Sequence, residues 1–218
     1  MTMEDGIGII RRCALYIVTD SALCRLPEEA MVAAALRGGA EVIQYREKDA
    51  STRAMVATAR KLRELSIAHG AMLIVNDRID VALAAEADGV HLGQDDMPYE
   101  AARGLLGEKA IIGITAHTVE EAFEAQQMGA DYVGLSPIFP TATKADAGPA
   151  AGLAFVEETG QSIRIPKVAI GGINETNMKE VLAAGADCVA MISAVVKSAD
   201  IEGTVRRILE DIRSTGPR

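Results

Sequence analysis

The sequence predicts a single α/β domain built as a parallel eight-stranded (β/α)8 TIM barrel, and three observations carry that prediction. Short apolar, β-branched runs recur at residues 15–18, 42–45, 72–75, 89–92, 111–114, 132–135, 168–170 and 188–192. Most are followed by segments with apolar residues at helical spacing, such as Met55, Val56, Ala59, Leu62 and Leu65, or Met178, Val181 and Leu182. A small residue and an acid precede every second run, as Ala40-Glu41, Ala87-Asp88, Ala130-Asp131 and Ala186-Asp187, an internal repeat of about two strand-helix units.

Taken in order, the elements agree with this rhythm. The strands are nearly all apolar, as expected of a parallel sheet covered on both faces. Pro27 suits a first helical position, with Gly38 past that helix's end. Thr118 and Glu121 have capping-box spacing, and Asn174 opens a helix that Gly185 closes. No glycine-rich dinucleotide fingerprint follows the first strand, which favours the barrel over a doubly wound open sheet. The expected domain spans 1–218, with 1–13 as an N-terminal extension.

Composition narrows the function. With 49% apolar and 24% charged residues the 218-residue chain is globular and not disordered. The 22 Lys and Arg against 31 Asp and Glu leave a net charge of -9, so neither nucleic acid nor an anionic membrane surface is an expected partner. Small anionic substrates would need locally gathered cations or a metal ion. Cys13, Cys24 and Cys188 form no C-x-x-C, which suggests neither a disulfide framework nor a zinc site and fits a reducing compartment. No stretch approaches the ~18 to 20 apolar residues of a membrane span, so the expected location is the cytoplasm. Assembly into a homo-oligomer is left open.

Barrel chemistry sits on the loops after the C-terminal ends of the strands. There the sequence places Gln44, Arg46 and Lys48 (second strand), Asn76 and Asp77 (third), Gln94, Asp95 and Asp96 (fourth), and Thr115 and His117 (fifth). Pro140, Thr141, Ala142, Thr143 and Lys144 follow the sixth, Gly171-Gly172 the seventh, and Ile192-Ser193 ends the eighth. Singly, each has a plainer role. Asp77 and Asp96 could be helix N-caps, Arg46 and Lys48 solvated loop charges, the threonines turn residues and the glycine pair a tight turn. His91, inside an apolar strand, reads as a satisfied interior residue, and His69 and Cys188 read as structural.

Together they make a chemical set. Asp77 and Asp96 suit Mg²⁺, which takes one or two protein carboxylates, waters and substrate phosphate oxygens. Arg46, Lys48 and Lys144 could hold the rest of a pyrophosphate. The Gly171-Gly172 turn and Ser193 offer a second, smaller site for a monophosphate. No Ser-His-Asp order or activated Cys is present, so covalent catalysis is not indicated. A reaction joining a pyrophosphorylated compound to a monophosphorylated one, with pyrophosphate leaving on Mg²⁺, uses every part.

The ordered motifs Gln44-Tyr45-Arg46-Glu47-Lys48, Asn76-Asp77, the run from Ala87 to Asp96, the run from Pro137 to Lys144, and Ile170-Gly171-Gly172-Ile173 resemble those of thiamine-phosphate synthases. The resemblance implies a transferase of thiamine biosynthesis that condenses hydroxymethylpyrimidine pyrophosphate with a thiazole phosphate by dissociative displacement. It implies Mg²⁺ on Asp77 and Asp96, and the pyrimidine substrate held by Gln44, Tyr45, Arg46, Glu47, Lys48, Asn76, Thr115 and Lys144. The thiazole phosphate would lie on Thr141, Ala142, Thr143, Gly172, Ile192 and Ser193, with Lys144, Arg46, Lys48 and Thr115 nearest the chemistry. Two residues depart from the family pattern: Thr115 stands for a usual serine, and Ser136 for a usual glycine. A thiazole tautomerase or a non-catalytic precursor-binding barrel shares the fold without the metal and pyrophosphate machinery, which Gln44, Arg46, Lys48, Asp77 and Asp96 retain.

Overall fold

The computed structural model describes residues 3–141, 143 and 148–214. The chain alternates α1 (Met3–Arg12), β1 (Leu15–Val18), α2 (Glu28–Arg37), β2 (Val42–Tyr45), α3 (Thr52–Ala68), β3 (Met72–Asn76), α4 (Ile79–Ala85), β4 (Gly89–Leu92) and α5 (Tyr99–Leu106). It continues through β5 (Ile111–Ala116), α6 (Val119–Met128), β6 (Tyr132–Leu135), α7 (Gly152–Ser162), β7 (Lys167–Ala169), α8 (Met178–Ala183), β8 (Cys188–Met191), α9 (Ser193–Val196) and α10 (Ile201–Arg213). The strands form a closed parallel barrel in sequence order, and β8 returns to β1 with Leu15 against Val189 and Ile17 against Met191.

The repeated acids have a mechanical role at the strand starts. The Asp88 carboxylate, ahead of β4, accepts the Leu73 N–H of β3 at 2.9 Å and pairs with Arg63 at 2.7 Å. Asp131, ahead of β6, accepts the Ile112 N–H of β5 and pairs with Arg103, both at 2.8 Å. Asp187, ahead of β8, accepts the Lys167 N–H at 2.8 Å and meets the Lys167 ammonium at 2.7 Å. Each carboxylate satisfies a backbone donor at the neighbouring strand's start and has a cation to balance its charge. This is why β7 begins at Lys167, one residue earlier than expected from apolar character. Glu41 departs from the repeat: its carboxylate makes a 3.8 Å contact with Arg12, and only its backbone carbonyl serves Met72.

Caps refine the helix boundaries. Thr118 accepts from the Glu121 N–H at 3.2 Å, and the Glu121 carboxylate reaches past the cap residue to the His117 N–H at 2.7 Å. Pro27 precedes α2 and is not its first residue. α8 starts at Met178 and not at Asn174, because the two asparagines tie a turn first: Asn177 accepts from the Asn174 N–H, and Asn174 from the Thr176 N–H, both at 2.8 Å.

The core has two shells. Outward strand residues such as Ile17, Ile43, Tyr45, Leu73, Val90 and Val133 pack under the helices. Inward residues Tyr16, Val42, Met72, Ile74, Ile111, Tyr132, Val168 and Cys188 fill the barrel, with Cys13 and with Ile9 and Ile10 of α1. The segment read as an extension therefore helps close the barrel floor. Gly113 makes room for the large Tyr132 side chain, since a Cβ there would fall 2.0 Å from the ring. Among the described residues no helix is long and apolar enough to cross a membrane.

Candidate active site

A cavity of about 380 Å³ opens at the C-terminal ends of the strands, and Gln44, Arg46, Lys48, Asn76, Asp77, Asp96, Thr115, Thr141, Thr143, Gly172, Ile192 and Ser193 all line it. Tyr45 and Glu47 do not. Gln44 points inward on β2, so strand alternation turns Tyr45 outward, where it is buried under the helices. The Glu47 carboxylate braces the β2–α3 loop, accepting from the Ser21 hydroxyl at 2.7 Å and from the Asp49 and Ala50 N–H groups at 2.8 and 3.2 Å. Ala142 and Lys144 lie outside the described residues.

The cavity floor is a hydrogen-bonded chain. The Gln44 amide donates to the Tyr16 hydroxyl at 3.0 Å, Tyr16 and Tyr132 hydroxyls meet at 3.0 Å, and Tyr132 meets His91 Nδ1 at 3.0 Å. His91 Nε2 meets the Thr115 hydroxyl at 2.9 Å. Burial pushes both tyrosine pKa values above the ordinary range, so the hydroxyls stay neutral and each has one hydrogen to give. These contacts join Gln44, Tyr16, Tyr132, His91 and Thr115 into one continuous chain across the floor. His91 is thus a satisfied interior residue, as the sequence suggests, and also part of the cavity wall. Tyr16 and Tyr132, missed in the sequence as site residues, line it too.

The acidic corner is not a pair of caps. Asp77 adopts a left-handed backbone, φ 61°, leaving Arg78 to precede α4. Its carboxylate lies 2.6 Å from the Lys48 ammonium. Asp96 accepts from the Gly93 N–H at 2.7 Å, and Pro98 takes the position before α5. Burial, with the neighbouring Asp77 carboxylate adding to it, raises the Asp96 pKa against the Gly93 N–H and Lys48. Two crowded carboxylates form a donor set that suits a divalent cation. Two protein carboxylates would leave such an ion positions for water and phosphate oxygens.

Arg46 is fixed in the cavity wall. Its guanidinium pairs with Asp20 at 2.9 Å, both largely buried, and the Arg46 backbone N–H donates to the Thr19 hydroxyl at 3.0 Å. Asp20 carried no sequence signal, because its proximity arises only from the β1–β2 pairing.

The glycine pair is required by close approach. Gly172 has φ 65°, and a Cβ there would fall 2.7 Å from the Pro140 carbonyl oxygen; at Gly171, φ 105°, it would fall 2.6 Å from Pro137 Cβ. The Asn174 and Asn177 side-chain amides donate to the Gly172 carbonyl at 3.3 and 3.0 Å, which fixes that peptide's orientation beside Ile192 and Ser193. Ser136 also lines the cavity, and its carbonyl accepts from His117 Nδ1 at 2.6 Å.

Comparison with known proteins agrees with this geometry. The profile of the thiamine monophosphate synthase family matches residues 15–195. The chain is 51% identical to the thiamine-phosphate synthase of Chloroflexus aurantiacus over 89% of its own length and 90% of that protein. It is 49% identical to the enzyme of the same name from Methanospirillum hungatei, over 91% and 97%. The solved thiamine phosphate pyrophosphorylase from Pyrococcus furiosus superposes with a TM-score of 0.89 at 41% identity, covering 96% of this chain and 100% of that one. The chain therefore belongs to the thiamine monophosphate synthase family, transferases of thiamine biosynthesis.

Proposed function

We propose that this protein, in the cytoplasm, condenses hydroxymethylpyrimidine pyrophosphate with 4-methyl-5-(2-phosphoethyl)thiazole, or its carboxylated form, to give thiamine monophosphate and pyrophosphate. The observation that carries the reading is the meeting, in one cavity, of the Lys48–Asp77–Asp96 corner with the Gly172 and Ser193 wall.

Asp77 and Asp96 would hold Mg²⁺, which when bound acts as a Lewis acid on the departing pyrophosphate. Arg46, Lys48 and Lys144 fix the same pyrophosphate by charge, and Gln44, Asn76 and Thr115 orient the pyrimidine over the hydrogen-bonded floor. The Thr115 hydroxyl, on the cavity wall, suits a polar atom of the pyrimidine. Thr141, Ala142, Thr143, Gly172, Ile192 and Ser193 seat the thiazole phosphate, so that its ring nitrogen faces the pyrimidine carbon that loses the leaving group. The C–O bond breaks first, and the thiazole nitrogen captures the resonance-stabilised pyrimidine cation. The protein's own work is positioning and charge stabilisation.

The test is thiamine monophosphate formation by purified protein from the two substrates, with and without Mg²⁺. Product only with Mg²⁺ supports the reading. No product despite binding of thiazole phosphate overturns it.

A further inference from the structure

Two buried thiols lie at the opposite end of the barrel from the cavity. Cys13 follows α1 directly and Cys188 opens β8; their sulfurs are 2.9 Å apart and neither residue is exposed. Both belong to the inner cluster, beneath Tyr16 and Tyr132 and beside Ile9 and Ile10 of α1. No step of the proposed reaction uses them, and an apolar interior needs no paired sulfurs for packing.

We propose that Cys13 and Cys188 are a redox pair that closes to a disulfide when the protein meets a peroxide. One sulfur, as thiolate, attacks a peroxide oxygen; the O–O bond breaks, and a sulfenic acid and one water result. The second thiol then attacks the sulfenic sulfur, the S–O bond breaks and a second water leaves. Two thiols and one hydrogen peroxide become one disulfide and two waters. Both sulfurs are shut off from solvent, so the first oxidation is slow, limited by loosening of the short helix α1. Once formed, the sulfenic acid already touches its resolving thiol, so the disulfide forms ahead of further oxidation.

The bond would join the end of α1 to β8 across 175 residues of chain. It would restrict the unfolded chain and pin α1 to the barrel floor while leaving the cavity at the far end unchanged.

The test uses the full chain carrying Cys24→Ser, which leaves only the pair. After hydrogen peroxide, quenching and alkylation in denaturant, we expect a mass loss of about 2 Da, no alkylation, and a peptide linking residues 13 and 188. The melting temperature should rise, and dithiothreitol should reverse the rise. Adding Cys13→Ser, or Cys188→Ala if that variant fails to fold, should abolish the mass loss. Full alkylation of both thiols after a peroxide dose that oxidises Cys24 in the unmutated protein would overturn the proposal. So would stable oxygen addition on either sulfur without a cross-link.

Discussion

The Lys48 ammonium lies 2.6 Å from the Asp77 carboxylate, so the acidic corner of the cavity carries its own counter-charge before any ligand arrives. Lys48 is partly exposed and tethered at one point, which lets it turn from Asp77 towards a phosphate. Lys48→Met is expected to lower kcat/KM about 10²- to 10³-fold, the range for removing one charge-stabilising group. Asp77→Asn and Asp96→Asn should each abolish Mg²⁺-dependent turnover with the melting transition retained. Initial rates across a Mg²⁺ titration decide this, and full activity in both variants would remove the metal assignment.

Gly172→Ala forces a Cβ towards the Pro140 carbonyl from a backbone that disfavours side chains. The displaced turn should raise KM for the thiazole phosphate at least tenfold and leave KM for the pyrimidine substrate near its original value. Two-substrate kinetics would show the split; equal change in both constants would mean that Gly172 only supports the loop.

The stacked floor should be intolerant of added volume. Gly113→Ala drives a methyl into the Tyr132 ring and is expected to cost about 3 kcal/mol or more, beyond the common overpacking range. Tyr132→Phe, which removes the middle hydroxyl of the chain, should cost about 1 to 3 kcal/mol and raise the pyrimidine KM by leaving Tyr16 and His91 without their shared partner in the floor. Urea unfolding and pyrimidine saturation curves measure the two effects separately.

Glu28, behind Thr19 and outside the cavity lining, offers a pH test. Burial raises its pKa above the ordinary value of 4.5, opposed by the Thr19 hydroxyl and reinforced by Glu47 and Asp20. Its contribution to stability is full below about 4.5 and is lost as pH rises through the higher folded value. Glu28→Gln stays uncharged and keeps an acceptor for Thr19, so its stability relative to the unmutated protein should grow between pH 4 and pH 7. A gap in urea midpoint that stays constant over that range would contradict this.

The barrel was legible because parallel strands buried on both faces read as unbroken apolar runs, and β1, β2, β4 and β6 fall on residues 15–18, 42–45, 89–92 and 132–135. The same property hid the floor of the cavity. With both faces apolar, nothing in 16–18 or 132–135 marks Tyr16 and Tyr132 as the inward residues. Tyr45 and Glu47 came with the Gln44 to Lys48 motif, although alternation from an inward Gln44 already turns Tyr45 away. The Asp77 and Asp96 capping reading fails because their carboxylates serve Lys48 and the Gly93 N–H. Asp20 and Arg46 are 26 residues apart, and only strand pairing brings them together.

The aspartates ahead of β4, β6 and β8 also bear on how the chain folds. Each clamp joins groups only 15, 19 or 20 residues apart, so it closes a small loop at modest entropic cost. The β1–β8 seam, by contrast, joins the two ends of the chain. Local strand pairs are therefore expected to form early and independently. The late step is closure of the ring, which must bring β8 round to β1 and carries the greatest loss of chain freedom.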